Sequence, residues 1–162
     1  MGWSNMNEEQ LKASLWINVT EEMGVDDKGI ALAIHLKDKG TFTPSDFEDA
    51  QNEVDSEDYL VLTDEEAYEE CVDYISETLW AFNASFLAGE TGLSEEVFTR
   101  LAEGYESSNE AIEALIDGTC GMGNFIQSAI SADGRGHFLA DYDHKENEVT
   151  YNGTTYYIYR RN

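Results

Sequence analysis

The sequence predicts an α+β fold, mainly helical, ending in a C-terminal β-hairpin or small antiparallel sheet. Three observations predict it. Apolar residues recur at helical spacing from Leu11 to Ile130, helix-start signals stand at Thr43, Thr63 and Ser94, and the pattern changes after Ser131, where β-branched and aromatic runs flank Asn152-Gly153. The 162 residues suit a single domain, with a helical N-terminal part over 1–58, a helical core over 59–131 and a C-terminal turn and hairpin over 132–162.

Leu11, Leu15, Trp16, Val19 and Met23 mark a first amphipathic helix, and Ile30, Leu32, Ile34, His35 and Leu36 mark a second that ends at Gly40. Thr43-Pro44 reads as an N-cap with proline at the first helical position, opening a short helix through Phe47 and Val54. Tyr59 to Leu62 fits either a short strand or an extended connector. Thr63 with Glu66 three residues later forms a capping box. The helix it opens carries Tyr68, Cys71, Val72, Ile75, Leu79 and Phe82 on one face. Ser94 with Val97, Phe98 and Leu101 predicts the next helix, and two more follow near Asn109–Ile116 and Asn124–Ile130, separated by the glycine-rich GTCGMG turn.

Charge dominates the composition. Nine Lys and Arg face 34 Asp and Glu, a formal net charge of -25. Such a field repels free nucleic acid and attracts basic surfaces, so direct DNA or RNA binding is excluded as a function class. With 3 Trp, 9 Tyr, 7 Phe and a single Pro, the chain does not have the composition of a disordered acidic tail. No apolar run approaches the roughly 18 residues needed to cross a bilayer, and the N-terminus reads as neither a signal peptide nor a myristoylation site, since Met6 stands where that motif needs Ser or Thr. The expected location is cytoplasmic. Cys71 and Cys120 are expected to be reduced thiols.

The charge is also unevenly placed. Residues 1–40 hold four lysines and the chain ends near Arg160-Arg161, yet no lysine or arginine occurs from Thr41 through Thr99. Half of the acidic residues lie in that interval. In the helix after Thr63, Glu65, Glu69, Asp73 and Glu77 recur every four residues, with Glu66 and Glu70 beside them, on the side away from the apolar stripe. Six like-charge pairs at three- or four-residue spacing cost about 1–3 kcal/mol at low salt. Burial of the apolar face outweighs that cost, at roughly 1.5–3 kcal/mol per large side chain. The repulsion brings nothing to folding and therefore points to a use outside it. Carboxylates four apart stand roughly 6 Å apart along the helix axis, and duplex DNA presents a phosphate every ~3.4 Å of axis per strand, so the two spacings are comparable.

Other motifs carry less. DYDHKENE begins like a calcium loop, but Lys145 takes its fifth position and Glu146 the place of the required glycine. The GTCGMG turn lacks the Lys-Ser/Thr of a phosphate-binding loop and reads as a helix terminator. His35, His137 and His144 do not complete a zinc pattern with the two cysteines; neither metal nor cofactor is expected. Asp133, Arg135 and His137 form the one compact polar group suited to acid–base work, which a turn held by an Asp–Arg pair explains as well.

The segment AISADGRGHFLADYDHKENEV, followed by YYIYR, resembles the ending of small acidic proteins encoded by bacteriophages, and the resemblance extends upstream through YLVLTDEEAYEECVDYISETLWAFNASFL. It implies a phage origin and, by analogy of charge and context, an inhibitor that imitates DNA. The expected function is therefore non-enzymatic: occupation of the basic DNA site of a host defence protein such as a restriction enzyme or CRISPR effector. Glu65, Glu66, Glu69, Glu70, Asp73 and Glu77 would stand in for phosphates, supported by Asp46, Asp49, Glu53, Asp55, Glu57 and Asp58. The partner is a basic host protein, with neither nucleic acid nor membrane bound directly, and the reading allows a homodimer. Two alternatives stand beside it: an adaptor acting through the aromatic hairpin at Tyr156, Tyr157 and Tyr159, and a small enzyme centred on Asp133, Arg135 and His137.

Overall fold

The computed structural model describes residues 23–37 and 42–162. The expected helix over Leu11–Met23 lies outside them except for Met23, and the second expected helix, read as ending at Gly40, already ends at Leu36, with Lys37 extended. The described chain is mainly helical with one small antiparallel sheet. It divides into two compact units, one formed by the chain up to Ala67 together with Leu139–Asn162, the other by Tyr68–Phe138. The C-terminal hairpin thus groups with the N-terminal part of the chain.

In the first unit, Asn152 and Gly153 both have positive φ, 53° and 77°, the pair of conformations a two-residue type I′ hairpin demands. They join β2 (Asn147–Tyr151) to β3 (Thr154–Arg160). Tyr59–Leu62 is a strand, β1, which pairs with β3 in the register Val61↔Ile158 and Leu60↔Tyr159. The sheet order is β1-β3-β2, antiparallel throughout. Opposed residues share a face, so Val61, Tyr151, Tyr156 and Ile158 project together. Two helices supply the facing core: α1 (Asp27–Leu36), with Ile30 and Leu32, and α2 (Pro44–Asp55), with Phe47 and Ala50. Asp26 caps α1 by accepting from the Gly29 N–H at 2.9 Å. Gln51 of α2 accepts from the Asp26 N–H at 3.0 Å, and its amide oxygen fills the space a Cβ on Gly29 would occupy, which explains a glycine inside α1. α2 opens at Thr43-Pro44 as expected, with a full capping box to Asp46.

The second unit is helical: most of α3 (Asp64–Glu77), then α4 (Ala84–Thr91), α5 (Glu95–Ala102), α6 (Asn109–Asp117), α7 (Met122–Asp133) and nearly all of α8 (Arg135–Leu139). Ser94 caps α5 as expected, accepting from the Glu96 N–H. Gly121 (φ 87°) and Gly134 (φ 82°) break the chain before α7 and before α8. The core centres on Phe125, which meets Phe82 at 5.3 Å and Phe86 at 5.6 Å, both edge-on, and includes Cys71, Ile75, Leu87, Phe98, Ile112 and Ile116. Helix α3 stops at Glu77, short of the expected stripe. Asn109 ends it, donating to the Ser76 carbonyl at 2.7 Å and accepting from the Trp80 N–H. Leu79 is buried on a following 3₁₀ turn, and Phe82 lies beyond it.

Candidate functional site: the acidic face of α3

The start of α3 is fixed by reciprocal bonds: the Thr63 N–H donates to Glu66 Oε1 at 2.9 Å, and the Glu66 N–H donates to Thr63 Oγ1 at 3.3 Å. The buried residues Ala67, Cys71 and Ile75 then set the rotation of the helix. At about 100° per residue, Glu65, Glu66, Glu69, Glu70, Asp73 and Glu77 fall within an arc of roughly 140°, centred about 160° from that buried stripe. All but Glu66 are exposed. Along the axis, Glu65 to Glu77 spans about 18 Å. The six carboxylates thus follow one another along a single helix, Glu65 and Glu66 in its first turn and Glu69, Glu70, Asp73 and Glu77 in the part that belongs to the second unit.

Glu66 differs from the rest. Lys28 approaches it at 3.0 Å, so the absence of basic residues along the tract does not hold in space at this position. Partial burial pushes the Glu66 carboxyl up, but the Thr63 N–H, the Lys28 ammonium and the Thr63 hydroxyl together hold it below the usual carboxylate range. Its charge is partly neutralised and its oxygens are committed to capping, so it is a structural member of the row.

The supporting carboxylates do not form a second row. On α2, Asp46, Asp49 and Glu53 lie on one flank of the buried Phe47–Ala50 face, and Asp55 lies on the opposite flank. Asp46 is tied to Lys37 at 3.0 Å and to the Thr43 N–H at 2.8 Å; burial raises its pKa, and these partners outweigh that and lower it. Asp55 accepts from Gln51 at 3.0 Å. Glu57 sits at positive φ in the turn after α2, and Asp58 accepts from Asn162 and Ser56, which lower its pKa. Asp46, Asp55 and Asp58 thus cap, bridge and close turns in the first unit. Sequence spacing missed this because their partners, Lys37 and Asn162 above all, come from outside the tract.

Of the two alternative centres, the hairpin supplies no docking surface through Tyr156 or Tyr159, which are 6% and 0% exposed. Tyr156 belongs to the sheet–helix core, and the Tyr159 hydroxyl donates to Glu146. The other centre is partly assembled: Asp133 and His137 line one cleft of the second unit, whereas Arg135 is not among its lining residues. Tyr74, Thr78, Phe82 and Asn83 join them there; of these the sequence reading names only Phe82, as part of an apolar stripe. No group of His, Cys, Asp and Glu suited to holding a metal ion is present among the described residues, and no described helix is long and apolar enough to cross a membrane. No protein-family model, no curated protein and no solved structure matches the chain.

Proposed function

We propose that the chain is an acidic, phage-type protein that imitates DNA and inhibits a DNA-binding host defence protein by occupying its basic site. The observation that carries this reading is the exposed row of Glu65, Glu69, Glu70, Asp73 and Glu77 on α3, facing away from the buried stripe of the same helix. A basic groove shaped for a sugar–phosphate backbone meets there a helical series of carboxylates, and the net charge of -25 steers the encounter. Glu66 and the α2-side carboxylates Asp46, Asp49, Glu53, Asp55, Glu57 and Asp58 strengthen the field, while most of them hold the fold. The protein carries out no reaction in this mechanism; it competes. Binding displaces counterions from both surfaces, so affinity falls as salt rises, and shape supplies the selectivity.

The test uses immobilised protein and a bacterial lysate. Retained proteins should be released by excess duplex DNA, and the E69K/D73K/E77K variant should retain none of them while its circular dichroism stays unchanged. Retention by that variant, or retention that duplex DNA does not disturb, rejects the reading.

A further inference from the structure

The cleft of the second unit has a volume of about 260 Å³. That is below the ~300–1,000 Å³ typical of sites for drug-sized ligands and suits a single side chain. Its walls are aromatic: Phe138 meets Tyr74 at 6.0 Å and Phe82 at 6.1 Å, with ring planes tilted by 52° and 33°. One exposed carboxylate, Asp133, stands at the end of α7 on its rim. The Thr78 hydroxyl is already used, donating to the Tyr74 carbonyl at 2.6 Å, which leaves the Asn83 amide as a further polar contact in the lining. His137 stands edge-on to Phe138 at 5.0 Å.

We propose that this cleft receives the guanidinium of an arginine presented by the basic partner. The proposal rests on the reading of the acidic row and adds a specific contact to it. Ring faces attract cations, and a planar guanidinium stacks on them while its edge donates to a carboxylate, which an ammonium does less well. An anion would meet Asp133 and the field of the whole chain. Position also favours a partner's side chain over a free metabolite. Tyr74 lies on α3 four residues after Glu70 and three before Glu77, so this wall of the cleft flanks the acidic row on the same helix. A basic surface laid along the row would carry an arginine to the mouth of the cleft. The row supplies charge without register, and the cleft fixes the register.

The experiment is an NMR titration of the full chain at physiological salt with three probes: N-acetyl-arginine methylamide, its uncharged citrulline counterpart, and a basic peptide of lysines with one central arginine. The arginine amide should give saturable shifts at Tyr74, Phe82, Asn83 and Phe138, the citrulline amide none, and the peptide the same shifts at lower concentration. Asp133→Asn should weaken the arginine amide about tenfold, with thermal melting confirming that the variant is folded. An E69Q/D73N variant should leave the amide's shifts at the cleft in place while weakening the peptide, which separates the cleft from the row: if the row fails to compete with DNA, these shifts still stand or fall by themselves. Unsaturable shifts spread over all acidic surfaces, or an unchanged affinity in Asp133→Asn, would overturn the proposal. So would an amide that binds as tightly as the peptide, since the occupant would then be a free small cation.

Discussion

Reversing three charges on α3 should make the protein more stable and, at the same time, functionally inert. The wild-type helix holds six like-charge contacts at three- or four-residue spacing: 65–69, 66–69, 66–70, 69–73, 70–73 and 73–77. In E69K/D73K/E77K, the 65–69, 66–69 and 70–73 contacts become attractive and the other three stay repulsive. Each change of sign is worth about 0.4–1 kcal/mol at low salt, so the helix gains roughly 1–3 kcal/mol. A lysine at position 77 also faces the negative end of α3 favourably. For a chain of this size each kcal/mol moves the midpoint by about 2–4 °C. Thermal melting followed at 222 nm should therefore rise by roughly 2–10 °C at low salt, and the gain should shrink towards zero at 1 M salt, where the screening length is about 3 Å. A midpoint that falls, or a gain indifferent to salt, would mean that these carboxylates already have cationic partners or do not share one face, and the reasoning behind the row would fail. The pairing of increased stability with lost partner binding matters because a surface selected for the fold alone would not sacrifice the first to keep the second.

Phe125→Ala should destabilise the second unit by about 3–5 kcal/mol, because it empties the centre of the cluster with Phe82 and Phe86; chemical denaturation measures it. Thr63→Ala should cost about 1 kcal/mol by removing the hydroxyl that accepts from Glu66, read as a lower denaturation midpoint at unchanged slope. His35 gives a pH dependence. Burial lowers its pKa, against a smaller raising effect of Asp143, so the unfolded chain takes up a proton more readily and stability falls as pH drops below about 6.5. Comparing His35→Gln with wild type across pH 7.5 to 5.5 should show a steeper loss in the wild type; parallel curves would refute the assignment.

Much of the fold was legible because local and long-range preferences agree. The capping box at Thr63, the Thr43-Pro44 start and the Asn152-Gly153 turn each satisfy backbone groups that any neighbouring structure would leave unchanged. Helix α4 was not legible: Phe86, Leu87 and Ala88 follow one another round the helix, so no 3.6-residue period emerges, and its packing against Phe125 and Phe82 decides it. The end of α3 was equally hidden, since Asn109, more than thirty residues away, supplies the bonds that stop it. The same distinction divides the candidate site. The row on α3 follows from spacing alone, because the carboxylates and the buried stripe share one helix. The neutralisation of Glu66 and Asp46 by Lys28 and Lys37 needs the pairing of separate elements, as does the cleft that joins Asp133 to Tyr74 and Asn83.

The central claim is that the carboxylate row and duplex DNA contend for one surface of a basic partner. Its most direct measurement takes the partner recovered from host lysate, a fluorescent 20-base-pair duplex and increasing amounts of the protein, followed by fluorescence anisotropy and by sedimentation of the mixture. The account predicts full displacement of the duplex by wild type, displacement weakening as salt is raised, and none by E69K/D73K/E77K. A ternary complex carrying both the protein and the duplex would contradict it.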